Sequence, residues 1–272
     1  MGRLRVLAFV AFAYLGLGGA AQAQVAAVES LARKHANPVS SIISVPFQFN
    51  FDCCLGETDA DLYTLKFQPV YPFNLNANWR LVTRTVMPVI YREALMVGGD
   101  AAFGLNDTLQ HFLISPRHPY SGHTIGFGPV ISWPTGTNSL IDSGKWSAGP
   151  SFALFRQHGS WTYGTLAHHI WSFANASSHP MPRVNESEFQ PTLAYTWKNG
   201  TSLTLNSESR YEWDTGRWQV PINLVLSRIY HFGEQPVSFG IGGRVYAVTP
   251  PGGPDWGLRA QMTFLFDTEQ KR

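Results

Sequence analysis

The chain has 272 residues, of which 44% are hydrophobic and only 14% charged, with a formal net charge of +2. Aromatic side chains, counted within that hydrophobic share, make up 14% of the chain, so the chain has enough to bury and is not disordered, while its near-neutral charge gives no support to nucleic-acid binding. Beyond the first twenty-odd residues no apolar run approaches the roughly 18 residues that a helix needs to cross a bilayer, which excludes a helical membrane protein.

Arg3 and Arg5 precede an apolar stretch from Val6 to Leu17, and small residues follow up to Ala21-Gln22-Ala23. This is the three-part pattern of a secretory signal peptide over residues 1–23, with cleavage expected after Ala23. Residue 24 is Gln rather than Cys, so the lipid-anchored form of the signal is absent. Cleavage removes two arginines and no acid, which leaves the mature chain neutral. Residues 24–40 then read as a short N-terminal periplasmic segment, with one or two helical turns between Glu29 and His35.

From residue 41 to residue 266 the apolar period is two. Ile43, Val45, Phe47, Phe49 and Phe51 alternate with Ser44, Gln48 and Asn50; Tyr63, Leu65, Phe67 and Tyr71 alternate with Thr64, Lys66 and Gln68. The clearest case is Thr201 to Trp213, where Leu203, Leu205, Tyr211 and Trp213 share a face with Ser207 and Ser209. Thr204, Asn206, Glu208, Arg210 and Glu212 occupy the other face. Leu258, Ala260, Met262, Phe264 and Phe266 repeat the pattern against Arg259, Gln261 and Thr263. About twelve such runs lie near 41–51, 62–73, 79–91, 108–115, 124–133, 146–157, 161–173, 187–197, 201–213, 217–231, 236–247 and 256–266. Most are longer than the roughly 5 to 6 residues usual in soluble proteins and match the 9 to 11 or so that a tilted strand needs to cross a bilayer.

Connection lengths agree. Asn74 to Asn78, Gln157 to Ser160, Lys198 to Gly200 and Gly233 to Gln235 are short, whereas Asp52 to Asp61, Arg92 to Asp107, Pro134 to Lys145, Ala174 to Glu186 and Val248 to Asp255 are long. Short periplasmic turns and long external loops are what outer-membrane barrels show. Two connections depart: Arg117 to His123 is long for a turn, and Asp214 to Gly216 is short for a loop. Trp79, Trp146, Trp161, Trp197, Trp213, Trp218 and Trp256 fall near strand ends, where two aromatic girdles are expected. The fold class is therefore all-β: a transmembrane antiparallel up-and-down β-barrel of about twelve strands, followed by a tail over residues 267–272.

The only cysteines, Cys53 and Cys54, are adjacent. A bond between sequence neighbours has poor geometry, so they read as two thiols in a loop or as partners of another thiol. No metal or cofactor motif is present. GxSxG and HExxH are absent; His158-Gly159-Ser160 falls at a tight turn, and His168 and His169 point to opposite faces of one strand.

Several segments resemble a family of bacterial outer-membrane proteins grouped under the meta-pathway of phenol degradation, whose members are labelled transporter or neuromedin U. They include Asn37-Pro38-Val39, Ile43 to Gln48, Trp79 to Ile90, Gly104-Leu105-Asn106-Asp107, Gly126 to Pro134 and Gly144 to Pro150. Trp171-Ser172-Phe173, Gln190-Pro191, Pro254-Asp255-Trp256 and Phe264-Leu265-Phe266 complete the set. The resemblance implies outer-membrane location and uptake of hydrophobic or aromatic compounds.

Twelve tilted strands close at a backbone radius of roughly 12 Å, between side-chain-filled and open barrels. The lumen is then either a narrow pore or plugged by inward side chains and the N-terminal segment. Lys66, Arg80, Arg84, Arg156, Glu208, Arg210, Glu212, Arg244 and Arg259 are the expected lumen residues. They would steer neutral or anionic solutes, or form an internal network of paired charges. The expectation is a non-enzymatic channel or transporter whose partners are outer-membrane lipids, the barrel-insertion machinery and a small solute. A lipid hydrolase and a non-transporting surface barrel are the alternatives.

Overall fold

A computed structural model describes residues 26–176 and 182–266; the expected signal peptide and the tail after Phe266 lie outside these residues. A helix, α1, covers residues 26–35. The first six strands are β1 Ile43–Leu55, β2 (Ala60–Phe67 and Val70–Asn74), β3 Trp79–Arg92, β4 (Ala102–Leu105 and Thr108–Pro116), β5 His123–Trp133 and β6 Lys145–His158. The second six are β7 Trp161–Asn175, β8 Asn185–Thr196, β9 (Thr201–Ser207 and Ser209–Glu212), β10 Arg217–Phe232, β11 Gln235–Val248 and β12 Trp256–Phe266. Each runs antiparallel to its neighbours in sequence, and β12 returns to β1 in a ladder from Ile43↔Phe266 to Asp52↔Gly257. The sheet closes into a twelve-strand barrel, which removes both free edges. All twelve expected strands are present, most within a few residues of the expected bounds.

Alternation assigns the two faces. In β1 the buried Ser44, Gln48, Asn50 and Asp52 point inward, and Phe47, Phe49 and Phe51 point outward. In β12 Arg259, Thr263 and Leu265 are buried, while Trp256, Leu258 and Ala260 are exposed. Outward rings gather at the strand ends. Trp161, Tyr195 and Trp197 pack edge to face at the short-turn end, and Tyr211 contacts Trp213 and Trp218 at the other. The break in β2 falls at Gln68-Pro69, where proline has no N–H for the ladder.

Two connections are tighter than their lengths suggest. The Arg117 to His123 turn is cinched by a Tyr120↔His123 bridge. The expected first loop shortens, because β1 continues to Leu55. This extension corrects the reading of the cysteines: Cys53 and Cys54 are bonded to each other inside β1, and no cysteine is free among the described residues. The register shifts between Asp52 and Leu55, and Cys54 adopts φ 71°, a left-handed turn of the backbone that overrides strand alternation and brings the two side chains together.

The N-terminal segment lies inside the barrel at its short-turn end. Leu31 and Ala32 pack with Ile42, Ile229 and Leu265, and Val28 joins them. Val39 is fully buried among Val70, Val82, Leu113, Ala153, Phe155 and Leu166. Polar tethers fix it in place. Arg33 Nη1 donates to Gly159 O at 2.6 Å, Gln157 Nε2 donates to Arg33 O at 2.6 Å, and Asn37 Nδ2 donates to Thr124 Oγ1 at 3.2 Å. Gly200, with φ 76°, turns the β8–β9 connection beneath the plug; a Cβ there would stand 2.3 Å from Val28 Cγ1. The lumen is thus plugged from below, one of the two states that the sequence allows.

Candidate functional site: a divided lumen

Ion pairing runs across the lumen rather than along its wall. Glu208 on β9 accepts from Lys66 Nζ of β2 at 2.8 Å and from Arg259 Nη2 of β12 at 2.8 Å, with Arg244 Nη2 of β11 at 3.9 Å. Arg259 Nε donates to Asn50 Oδ1 at 2.8 Å, and Arg244 Nε donates to Asn223 Oδ1 at 2.7 Å. Arg244 Nη1 lies 3.0 Å from both oxygens of Asp52, whose Oδ1 also accepts from Tyr246 OH at 2.9 Å. This lattice ties β1, β2, β9, β10, β11 and β12 together and spans the seam at which the barrel closes. Charged groups taken from water cost several kcal/mol each unless paired and hydrogen-bonded, and here they are both.

A second set stands beside it. Arg210 lies 3.6 Å from Glu186 and 3.8 Å from Glu188, both on β8. His111 Nδ1 on β4 bonds Ser151 Oγ of β6 at 2.9 Å, and the His111 and His168 rings stand 5.1 Å apart, edge to face.

Among the described residues, the two larger lumen cavities frame this network. The inner one, about 190 Å³, lies over α1 and is lined by His35, Pro38, Gln48, Ser202, Thr204 and Asn206, among others. The outer one, about 310 Å³, is lined by Lys66, Val86, Leu109, Ile170, Glu188 and Arg210, and external-loop residues Ile141, Asp142 and Ser143 reach into it. Asp107 holds that loop over the mouth: its carboxylate accepts from Gly136 N at 3.2 Å and Ser143 N at 2.9 Å. Gln68, Arg84, Gln190 and Glu208 line both cavities and form the neck between them.

Of the nine expected lumen residues, Lys66, Arg84, Glu208, Arg210, Arg244 and Arg259 converge on this interior. Arg80 is inward but lies lower, donating from Nη2 to Pro116 O at 3.3 Å, and Glu212 sits at the external end, where it accepts from Thr215 Oγ1 at 2.6 Å. Arg156 is corrected to the outer face. Its neighbour Phe155 is buried at 1% exposure, and alternation forces the next side chain out. Asp52, Glu186, Glu188, Asn50 and His111 complete the interior and were absent from the expected set. Continuing the alternation past Asn50, and through Glu186, Glu188 and Gln190, identifies most of them.

His35 of α1 faces the inner cavity, and burial pushes its imidazole down to about 4. Free of the barrel it would titrate near its ordinary 6.5. Between those values the undocked segment holds a proton that the docked one does not, so docking is fully favoured above about pH 6.5 and weakens as pH falls toward 4. Amide hydrogen exchange over residues 26–38, corrected for its intrinsic pH dependence, should therefore accelerate from pH 7 to pH 4, and His35→Gln should flatten that response.

A Ser–His pair lies on the exterior. His169 Nδ1 bonds Ser187 Oγ at 2.8 Å across the β7–β8 ladder, and Trp213 Nε1 donates to the same oxygen at 2.9 Å. His169 Nε2 is buried and makes no hydrogen bond among the described residues; Asn185, the side chain beside the ring, donates instead from Nδ2 to Asp214 Oδ1 at 2.8 Å, so a hydrogen-bonded triad is not formed.

No family model and no curated protein matches the chain. Among solved structures, an outer membrane channel from Pseudomonas putida F1 aligns with 83% of this chain and 94% of its own, with a TM-score of 0.63 and 15% identity. The NanC porin aligns with 82% of this chain and 98% of its own (TM-score 0.49, 13% identity), and outer membrane phospholipase A from Escherichia coli with 82% and 92% (TM-score 0.45, 12% identity). The chain is similar to the first of these in fold: a barrel of the outer-membrane type.

Proposed function

We propose that the chain is an outer-membrane channel for small solutes, exported by its N-terminal signal, assembled by the barrel-insertion machinery and bathed in outer-membrane lipid. The observation that carries this reading is the inversion of the molecule: a charged, cavity-bearing interior enclosed by a wall whose outward residues are Phe, Leu, Ile and Trp. A soluble protein seldom exposes an apolar patch beyond a few hundred Å², whereas a lipid-facing barrel must. The outer cavity, with Val86, Leu109, Ile141, Ile170 and Val184 beside its charges, favours solutes with an apolar body. That agrees with the uptake of hydrophobic or aromatic compounds that the family resemblance implies. Purified protein in planar bilayers should give discrete, low-conductance openings, limited by the neck and the plug. A barrel that inserts and passes no ions would sink the channel reading.

Ser187 and His169 are what a lipid hydrolase would rest on, since they face the bilayer near its external surface. Asn185 stands beside His169, but the ring's Nε2 is not hydrogen-bonded to it, and the pair is better explained as two polar side chains satisfying each other in an apolar setting. Phospholipid vesicles should release no fatty acid; release that disappears in Ser187→Ala would replace the channel by an enzyme.

A further inference from the structure

Four inward acids, Asp52, Glu186, Glu188 and Glu208, engage four inward cations, Arg244, Arg210, Lys66 and Arg259. Arg84 is left over. It stands in the neck and lines both cavities, yet no carboxylate lies within ion-pair distance of it among the described residues. Its Nη2 donates to Gln68 Oε1 at 2.9 Å, and its Nη1 is buried with no hydrogen-bond partner. Gln68 in turn donates from Nε2 to Gln48 Oε1 at 3.3 Å, and Gln48 Nε2 donates to Asn50 Oδ1 at 3.3 Å. Arg84 is therefore held at the end of an amide chain that runs into the Arg244–Arg259 lattice, so its side chain is oriented without being neutralised.

We infer that Arg84 is the anion-binding group of the lumen, and that the solute it receives is a small monocarboxylate with an apolar or aromatic body. A buried guanidinium with unsatisfied N–H groups is costly, and a carboxylate matches its planar fork with two parallel hydrogen bonds. The space above Arg84 suits the rest of such a molecule. Val86, Pro88, Leu109, Ile141, Ile170 and Val184 form an apolar wall around a cavity of about 310 Å³, at the lower end of those that enclose small organic ligands. Five carboxylates face the same cavity, and each is engaged: Glu186 and Glu188 by Arg210, Glu208 by Lys66 with Arg259, and Asp107 and Asp142 at the mouth by loop N–H groups; they disfavour dianions, which would meet them at close range. The neck then discriminates by charge, and the outer cavity by shape.

This inference rests on the channel reading for its meaning, but its test does not need conductance. Benzoate should bind the detergent-folded barrel saturably in calorimetry. Benzamide, of the same shape and uncharged, should bind at least tenfold more weakly, as should benzoate to Arg84→Gln, a loss of about 1.4 kcal/mol in each case. Arg84→Lys, which keeps the charge and loses the fork, should fall between. Equal affinity for benzoate and benzamide in the unmodified protein overturns the assignment and requires no variant to fold; undiminished benzoate binding by Arg84→Gln, or no benzoate binding by the unmodified protein, overturns it as well. Binding without current would leave this site standing and remove the channel; current with no Arg84-dependent binding would do the reverse.

Discussion

Removal of residues 26–38 behind an intact signal should raise single-channel conductance several-fold and leave the barrel folded. The helix and the segment after it account for the closure of the inner cavity. An α-helix with its side chains is about 10–12 Å across, comparable to what remains inside a barrel of roughly 12 Å backbone radius once inward side chains are subtracted. The wall has little reason to collapse without it. Its closing ladder runs from Ile43 to Asp52 against Phe266 to Gly257, and none of those pairings involves the plug. The cost falls on the contacts of Val28, Leu31, Ala32 and Val39 with the lumen floor, and on the tethers of Arg33 and Asn37. A gentler variant, Arg33→Ala with Gln157→Ala, cuts both tethers between α1 and the β6–β7 turn and should give brief openings to the larger conductance. Unchanged conductance after deletion would mean that the neck alone sets the resistance and that the plug does not obstruct the ion path.

The wall of this molecule was legible in the sequence, and its interior only partly. Strand spans follow from a period of two, since lipid rewards every second side chain for being apolar and the lumen rewards the other for being polar. The same rule assigned Lys66, Arg84, Glu208, Arg210, Arg244 and Arg259 to the inside. It says nothing about which of them meet. Lys66 and Glu208 are 142 positions apart and become partners only because the sheet closes. Alternation also fails where a strand departs from the ideal, as at Cys53 and Cys54, where a left-handed residue turns two consecutive side chains the same way. Asp52 departs for a related reason: in sequence it reads as the first residue of a loop, whereas β1 carries it one more step inward. Arg156 shows the opposite fault, a cation credited to the lumen on a strand whose faces mix apolar and polar residues, when Ala153 and Phe155 already claim that side. The plug could not be read from periodicity, because its few apolar residues are matched to the lumen floor rather than to a repeating face.

Glu208→Gln should be the most damaging single change to the barrel interior, destabilising it by about 3 kcal/mol and shifting ion preference toward anions. The substitution keeps the shape and removes the charge, so Lys66 and Arg259 lose their carboxylate at 2.8 Å and Arg244 loses its at 3.9 Å. Breaking a buried ion pair from one side costs roughly 3–5 kcal/mol, because the partner is left as an uncompensated charge. The lower end applies here, since the Glu208 side chain is 20% exposed and lumen water screens part of the loss. Arg259 bears most of it: its side chain is fully buried, and it is left with neutral acceptors only, Asn50 Oδ1 and the new amide oxygen. Arg259→Gln introduced alongside should restore part of the stability by removing the stranded cation, a recovery that additivity of two independent losses does not allow. Urea-induced unfolding followed by tryptophan fluorescence gives the two stabilities, and reversal potentials in a salt gradient give the selectivity. In the neck, Arg84 would then lose one of the two carboxylates whose charge reaches it, Glu208 and Glu188, so anion preference should rise even though the overall charge changes by only one. A Glu208→Gln barrel as stable as the unmodified protein would show that lumen water, rather than this carboxylate, balances the three cations around it.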